Sequence, residues 1–180
     1  PQIARLLSQI IQEPSGVRGN DAESRRAKAV ATAMARIRLD VADVRQLPVT
    51  HRATIPEEYL DMMGHMNVMW YTHLFSLGMG GLFELVGLNW EQMKKLQGGT
   101  FALESHIRYL SEVHGGQTIE IHSRLLSRSE KQFHALHFMT NSDRQDVSAT
   151  FEVVGAYIDM RSRRMAALPE VVTQRLDTLI

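Results

Sequence analysis

Thr118-Ile119-Glu120-Ile121-His122-Ser123-Arg124-Leu125 places Ile119, Ile121 and Leu125 on one parity and Glu120, His122 and Arg124 on the other. Side chains along a strand point alternately to opposite faces, so a period of two marks a strand of a sheet with one buried face. Turn signals bracket it. Gly115-Gly116 leads in from a strand over residues 101–113, and the polar run Arg128-Ser129-Glu130-Lys131 leads out to a strand over residues 132–140. Asn141-Ser142-Asp143 turns the chain again, into a strand over residues 147–160 in which Phe151, Val153 and Tyr157 share a face.

Upstream the period becomes helical. From about residue 67 to about residue 87, Trp70, Leu74, Leu77, Gly81 and Leu85 recur at spacings of three and four. Gly78, Gly80 and Gly81 lie inside this segment, and each costs ~1 kcal/mol relative to alanine in a helix. Close approach of helix backbone to sheet is the expected compensation; a break near Gly80 is the alternative. Residues 49–55 read as an earlier strand, ended by Pro56. One strand, a long helix and four further strands predict an α+β fold in which an antiparallel sheet of about five strands wraps the helix. We expect this domain over residues 48–180, with Leu168-Pro169 opening a short C-terminal helix. Residues 1–47 are expected to form a helical extension: Ile3, Leu6, Leu7, Ile10 and Ile11 pattern a helix over residues 2–12, and a second runs from Asn20 or Asp21 to about residue 39.

Composition narrows the function. A chain of 180 residues with 44% apolar and 22% charged residues has the balance of one globular domain. Its zero formal net charge gives no reason to expect a nucleic-acid or membrane-surface partner. Without cysteine there is no disulfide, thiolate metal site or cysteine nucleophile, and the cytoplasm is the expected location. Arg5, Ser8 and Gln9 interrupt the apolar residues early, so neither a signal peptide nor a membrane span is expected. His134 and His137 are three apart in a strand, which sends them to opposite faces, and no metal is expected.

The chemistry concentrates in Tyr59-Leu60-Asp61-Met62-Met63-Gly64-His65-Met66-Asn67-Val68-Met69-Trp70-Tyr71, a polar loop entering the long helix. The first turn of a helix has N–H groups without intrahelical partners and the positive end of the helix dipole, so it accepts an oxyanion. In thioester hydrolysis negative charge develops on the carbonyl oxygen, and a neighbouring carboxylate can attack the carbonyl or activate water. Asp61 lies close enough in sequence to Asn67 for the loop to fold it back to that terminus. Asn67 also suits an N-cap, and His65 suits either positioning or proton transfer. Met62, Met63, Met66 and Met69 read as core filling or as an adaptable lining for an acyl group.

Asp61-x-x-Gly64-His65-x-Asn67, followed by Tyr71, resembles the signature of the 4-hydroxybenzoyl-CoA thioesterase-like branch of the hot-dog superfamily. Glu104-x-x-x-x-Tyr109-Leu110-x-Glu112, the Gly115-Gly116 turn and the run from Gly155 through Asp159 and Arg161 to Leu168-Pro169 are similar to that branch too. The resemblance implies a thioesterase acting on an acyl-CoA or a related acyl carrier thioester, with no cofactor beyond the CoA of such a substrate. It implies a homodimer, or a dimer of dimers, with sheets joined edge to edge and sites at the interface. Asp61 would be nucleophile or general base, His65 and Asn67 would position the loop or the water, and the Val68 N–H would polarise the carbonyl. Tyr59, Met63, Trp70 and Tyr71 are the candidate substrate contacts, and Arg124, Arg128 and Lys131 the candidates for CoA phosphates. Tyr59 stands where many relatives have a second aspartate, and Met63 where the plant acyl-carrier-protein thioesterases have asparagine, so the chemistry rests mainly on Asp61. Two other functions compete: a hot-dog hydratase or dehydratase, and an acyl-CoA sensor binding DNA through Arg25, Arg26, Lys28, Arg36 and Arg38.

Overall fold

The computed structural model describes residues 39–179, so the helices expected over residues 2–12 and from about residue 20 lie outside the described range. The chain from Asp40 onward forms one compact unit. Its elements are α1 (Val41–Val44), β1 (Val49–Thr54), a 3-10 turn (Glu57–Tyr59), α2 (Val68–Leu85), α3 (Trp90–Leu96) and β2 (Gly98–Tyr109), then β3 (Thr118–Arg128), β4 (Gln132–Asn141), β5 (Asp146–Asp159), β6 (Arg164–Met165) and α4 (Glu170–Leu176). The sheet is antiparallel in the order β1-β3-β4-β5-β2, with β6 added to β5. No described helix is long and apolar enough to cross a membrane.

This is the expected sheet-wrapped helix, a hot-dog fold. Phe75 of α2 stacks on Phe151 of β5 with ring centroids 5.2 Å apart, and Phe83 meets Phe133 of β4 edge-on at 5.2 Å. Gly78 lies against Ile121 of β3, and Gly81 against the Thr50 carbonyl of β1. The helix runs unbroken past Gly80, so close approach to the sheet, and not a break, accounts for Gly78 and Gly81, while a Cβ at Gly80 would meet open space. Those contacts also fix which side of α2 faces inward. The buried stripe is Tyr71, Leu74, Phe75, Gly78, Leu82 and Phe83, whereas Leu77 and Leu85 are 42% and 50% exposed. The face expected from Trp70, Leu74, Leu77, Gly81 and Leu85 is thus rotated from the observed one, because Gly78 as well as Gly81 must sit on the sheet.

Two further expectations are corrected. The second strand begins at Gly98, not Phe101, and ends at Tyr109, and the short helix α3 precedes it. Asn89 caps α3 by accepting from Gln92 N–H at 3.0 Å, and Gln97 ends it in the left-handed region at φ 48°. The alternation in β3 does not mark a solvent-facing second side, since Glu120 and His122 are also buried. Arg52 pairs with the Glu120 carboxylate, and His122 Nδ1 lies 3.1 Å from the Leu47 carbonyl. Both polar groups are therefore partnered by the chain just before and within β1.

His134 and His137 do lie on opposite faces. His134 meets Glu152 at 2.8 Å, while His137 points into the core and bonds to the Ser123 hydroxyl at 2.6 Å, with Phe75 and Phe151 alongside. Burial lowers the His137 pKa to about 3. Because the folded value lies below the unfolded value of 6.5, the unfolded chain binds the proton more readily, so this contribution is intact above about pH 6.5 and is lost as the pH falls toward 3. Urea melts should show stability falling by roughly 1 kcal/mol per pH unit through that window, and the slope should flatten in His137→Asn. An unchanged slope in the variant would place the acid sensitivity elsewhere.

Candidate active site

Leu60 and Met66 pair as an isolated antiparallel bridge, which makes the intervening residues the head of a tight turn. The Asp61 N–H donates to the His65 carbonyl, and the Gly64 N–H donates to the Asp61 carbonyl, both at 3.0 Å. Gly64 holds φ at 82°, a conformation that only glycine adopts without strain. The Asn67 N–H then donates to the Tyr59 carbonyl at 2.9 Å, and the Met66 N–H to the Val113 carbonyl at 2.7 Å. These bonds fold Asp61 back and lead the chain directly into α2.

The Asp61 side chain is 27% exposed. Its Oδ1 accepts from the Met63 N–H at 2.8 Å, and its Oδ2 faces His65 Nδ1 at 3.5 Å. His65 Nε2 lies 4.0 Å from Glu112, whose other carboxylate oxygen is 3.8 Å from His114 Nε2. His114 Nδ1 in turn lies 3.0 Å from the Gly64 carbonyl. Asp61, His65, Glu112 and His114 therefore form one row across the loop and the connection between β2 and β3. Of these, His114 has no signal in the sequence, and Glu112 stands in the motif around β2 with nothing there to link it to Asp61 or His65. Their arrival depends on the Met66–Val113 bond, a long-range contact with no local signature.

Asn67 is the N-cap of α2, its side-chain oxygen accepting from the Met69 N–H at 3.1 Å. The Trp70 N–H donates to the Asn67 carbonyl at 3.0 Å. The Val68 N–H has no acceptor among the described residues. The helix tip thus keeps the Val68 donor open, the group that the family resemblance implies would polarise the carbonyl.

Tyr59 and Trp70 stack with centroids 3.6 Å apart and planes 6° from parallel, clamping the loop's entry to the first turn of α2. Tyr71 is buried and meets Tyr109 edge-on at 5.1 Å. Burial, with Tyr109 and Glu112 nearby, raises the Tyr71 pKa to about 12 against a smaller opposing contribution from the Val113 backbone, so its hydroxyl stays protonated at any working pH. The methionines divide: Met66 is core, while Met62, Met63 and Met69 are exposed, Met62 at 97%.

The thioesterase-like superfamily model matches residues 55–176, which includes the loop, α2 and the whole sheet from β2 onward. The chain belongs to the thioesterase-like superfamily. It is 29% identical over 134 residues to an L-carnitine dehydrogenase/betainyl-CoA thioesterase of Ruegeria pomeroyi, covering 74% of this chain but 27% of that protein. It thus spans about a quarter of the length of that two-activity relative. A betainyl-CoA thioesterase of Pseudomonas aeruginosa is 25% identical over 134 residues and is covered to 84% of its length. Among solved structures, a Staphylococcus aureus protein in complex with CoA superposes with a TM-score of 0.69 at 25% identity, covering 74% of this chain and 84% of that one.

Three basic residues of this thioesterase-family chain lie away from Asp61. β3 starts beside the site and runs from it, so Arg128 and Lys131 fall at the opposite end of the sheet. Arg128 is engaged there by Asp177 through two contacts of 2.6 Å. Arg124 sits mid-strand opposite Leu136. Within one subunit the structure does not bring these groups to the loop. Glu104 lies exposed on β2, and no ion pair joins it to Arg108 among the described residues.

Proposed function

We propose that this chain hydrolyses an acyl-CoA thioester at the Asp61 loop, with no cofactor. The observation that supports the reading is the hairpin, closed by the Leu60–Met66 bridge and the Asn67–Tyr59 backbone bond, that joins the Asp61 turn to a helix tip whose Val68 N–H has no acceptor among the described residues. The thioester carbonyl oxygen accepts from that N–H, so charge developing on it meets both a donor and the positive end of α2. Asp61 either attacks the carbonyl carbon or takes a proton from the water that does. With water as the nucleophile, collapse of the tetrahedral intermediate breaks the carbon–sulfur bond and leaves the free acid and the CoA thiolate, which takes up the proton. With Asp61 as the nucleophile, the same collapse releases the thiolate and leaves an acyl-aspartyl anhydride, which water then hydrolyses to the free acid and the restored carboxylate. His65, between Asp61 and Glu112, fixes the carboxylate's orientation and passes the proton; Asn67 holds the tip in shape.

The active unit is proposed to be a dimer joined along β2. That strand ends the sheet, and Phe101 and Leu103 are 63% and 49% exposed on it, an open apolar edge of the kind that pairs with another strand. The exposed Met62, Met63 and Met69 then gain a partner surface or line the acyl site.

The names of the relatives favour a short acyl group with a positive charge. Support comes from two carboxylates, Asp61 and Glu112, whose charge partners among the described residues are imidazoles, beside the Tyr71 and Tyr109 rings. Arg144 reaches the backbone carbonyl of Glu112 and pairs its charge with Asp146. Thiol release should be measured across betainyl-, acetyl- and long-chain acyl-CoA. Betainyl-CoA should give the highest kcat/KM, and Glu112→Gln should raise its KM about tenfold while changing that of acetyl-CoA little. Equal effects on both would sink the charge preference; CoA binding without thiol release from any thioester would sink hydrolysis itself.

A further inference from the structure

The end of the sheet opposite Asp61 carries an unmatched basic cluster. β5 ends at Asp159, and the turn that follows together with the first residue of β6 presents Arg161, Arg163 and Arg164, all exposed. The arginine–carboxylate pairs among the described residues are Arg52–Glu120, Arg128–Asp177 and Arg144–Asp146, so none of these three guanidiniums is taken. The Asp159 carboxylate is occupied instead by the backbone N–H groups of Arg161 and Ser162, each at 2.8 Å. Arg163 is held at φ 57°, in the left-handed region that side chains rarely adopt. Met165 of β6 and Lys131 border a cleft of about 280 Å³ at this end.

Within one subunit this cluster is remote from the reaction. Gly98 pairs with Asp159, Tyr109 adjoins Tyr71, and β2 separates the two ends by roughly 36 Å. An edge-paired dimer changes that. The exposed run of β2, residues 101–106, is centred on the strand. A twofold axis at that centre, between Leu103 and Glu104, sets Gly98 of one copy opposite Tyr109 of the other. The arginine turn beside Gly98 then reaches the mouth of the other copy's site.

We infer that the phosphate groups of CoA are bound by Arg161, Arg163 and Arg164 of the partner subunit, while the subunit holding the thioester supplies Asp61. Guanidiniums match phosphate with paired, charge-assisted hydrogen bonds, and CoA carries a diphosphate and a ribose phosphate to receive them. Arg124 and Arg128 are thereby replaced as phosphate ligands, and Lys131 stays a neighbour of the cluster. The inference rests on the edge-paired dimer proposed above.

Two measurements test it. By calorimetry with CoA alone, R161Q/R163Q/R164Q should bind at least about tenfold more weakly than wild type. Its KM should rise for acyl-CoA but not for the same acyl group on pantetheine, which lacks phosphate. The second uses a heterodimer, purified through two different tags, of one Asp61→Asn chain and one R161Q/R163Q/R164Q chain. One of its two sites joins an intact Asp61 to intact partner arginines, so it should regain roughly half the wild-type rate per dimer at low acyl-CoA concentration. Unchanged CoA affinity in the triple variant, equal KM effects on both thioesters, an inactive heterodimer, or an active monomer would each overturn the assignment. A wild type that releases no thiol, yet loses CoA affinity on the triple substitution, would instead remove the hydrolase reading and leave this one standing.

Discussion

Asp61→Asn should lower kcat for CoA thioester hydrolysis by ~10³-fold, within the range set by loss of a positioned acid–base group. The substitution is chosen because asparagine keeps an oxygen where Oδ1 accepts from the Met63 N–H, so the turn retains its internal bond. Only the negative charge and its basicity disappear. Thermal melts should therefore match wild type closely, and KM should move far less than kcat. Asp61→Ala also removes the acceptor and should cost about 1 kcal/mol of stability besides the lost rate. A thiol-release rate within a few-fold of wild type for Asp61→Asn would exclude the carboxylate from the chemistry.

The second large effect concerns the contact between α2 and β1. A Cβ at position 81 would overlap the Thr50 carbonyl, and neither partner is a flexible side chain that can swing aside. Gly81→Ala should force β1 from the helix and destabilise the fold by about 3 kcal/mol, the upper range for overpacking. In a domain of this size that lowers Tm by roughly 10 °C. Gly80 supplies the control, since nothing lies within 4 Å of a Cβ built there. Gly80→Ala should gain up to ~1 kcal/mol from helix propensity alone. Equal melting temperatures for the two variants would mean that helix and strand are not in backbone contact.

These cases show which features could be read before folding. Features carried by a few neighbouring residues were legible: the alternation in β3, the cap at Asn67, the glycines of α2 and the loop bearing Asp61. Even there the periodicity of α2 left its rotation open, because leucines recur on more than one side and the glycines that touch Ile121 and Thr50 decide between them. Features created by distant segments were not legible. Glu112 and His114 join Asp61 and His65 only because Val113 receives the Met66 N–H. The partners of the buried Glu120 and His122 likewise come from a distant segment, Arg52 and the Leu47 carbonyl. The arginines of the β5–β6 turn are adjacent in sequence, yet their value as a site arises only from the strand register that sets Asp159 beside Gly98 at the open edge.

The most direct test is a crystal structure of Asp61→Asn with a CoA thioester bound. The thioester oxygen should lie about 3 Å from the Val68 nitrogen, with the carbonyl carbon facing residue 61. A bound acyl group whose carbonyl contacts neither the start of α2 nor the 61–65 turn would contradict the proposed site.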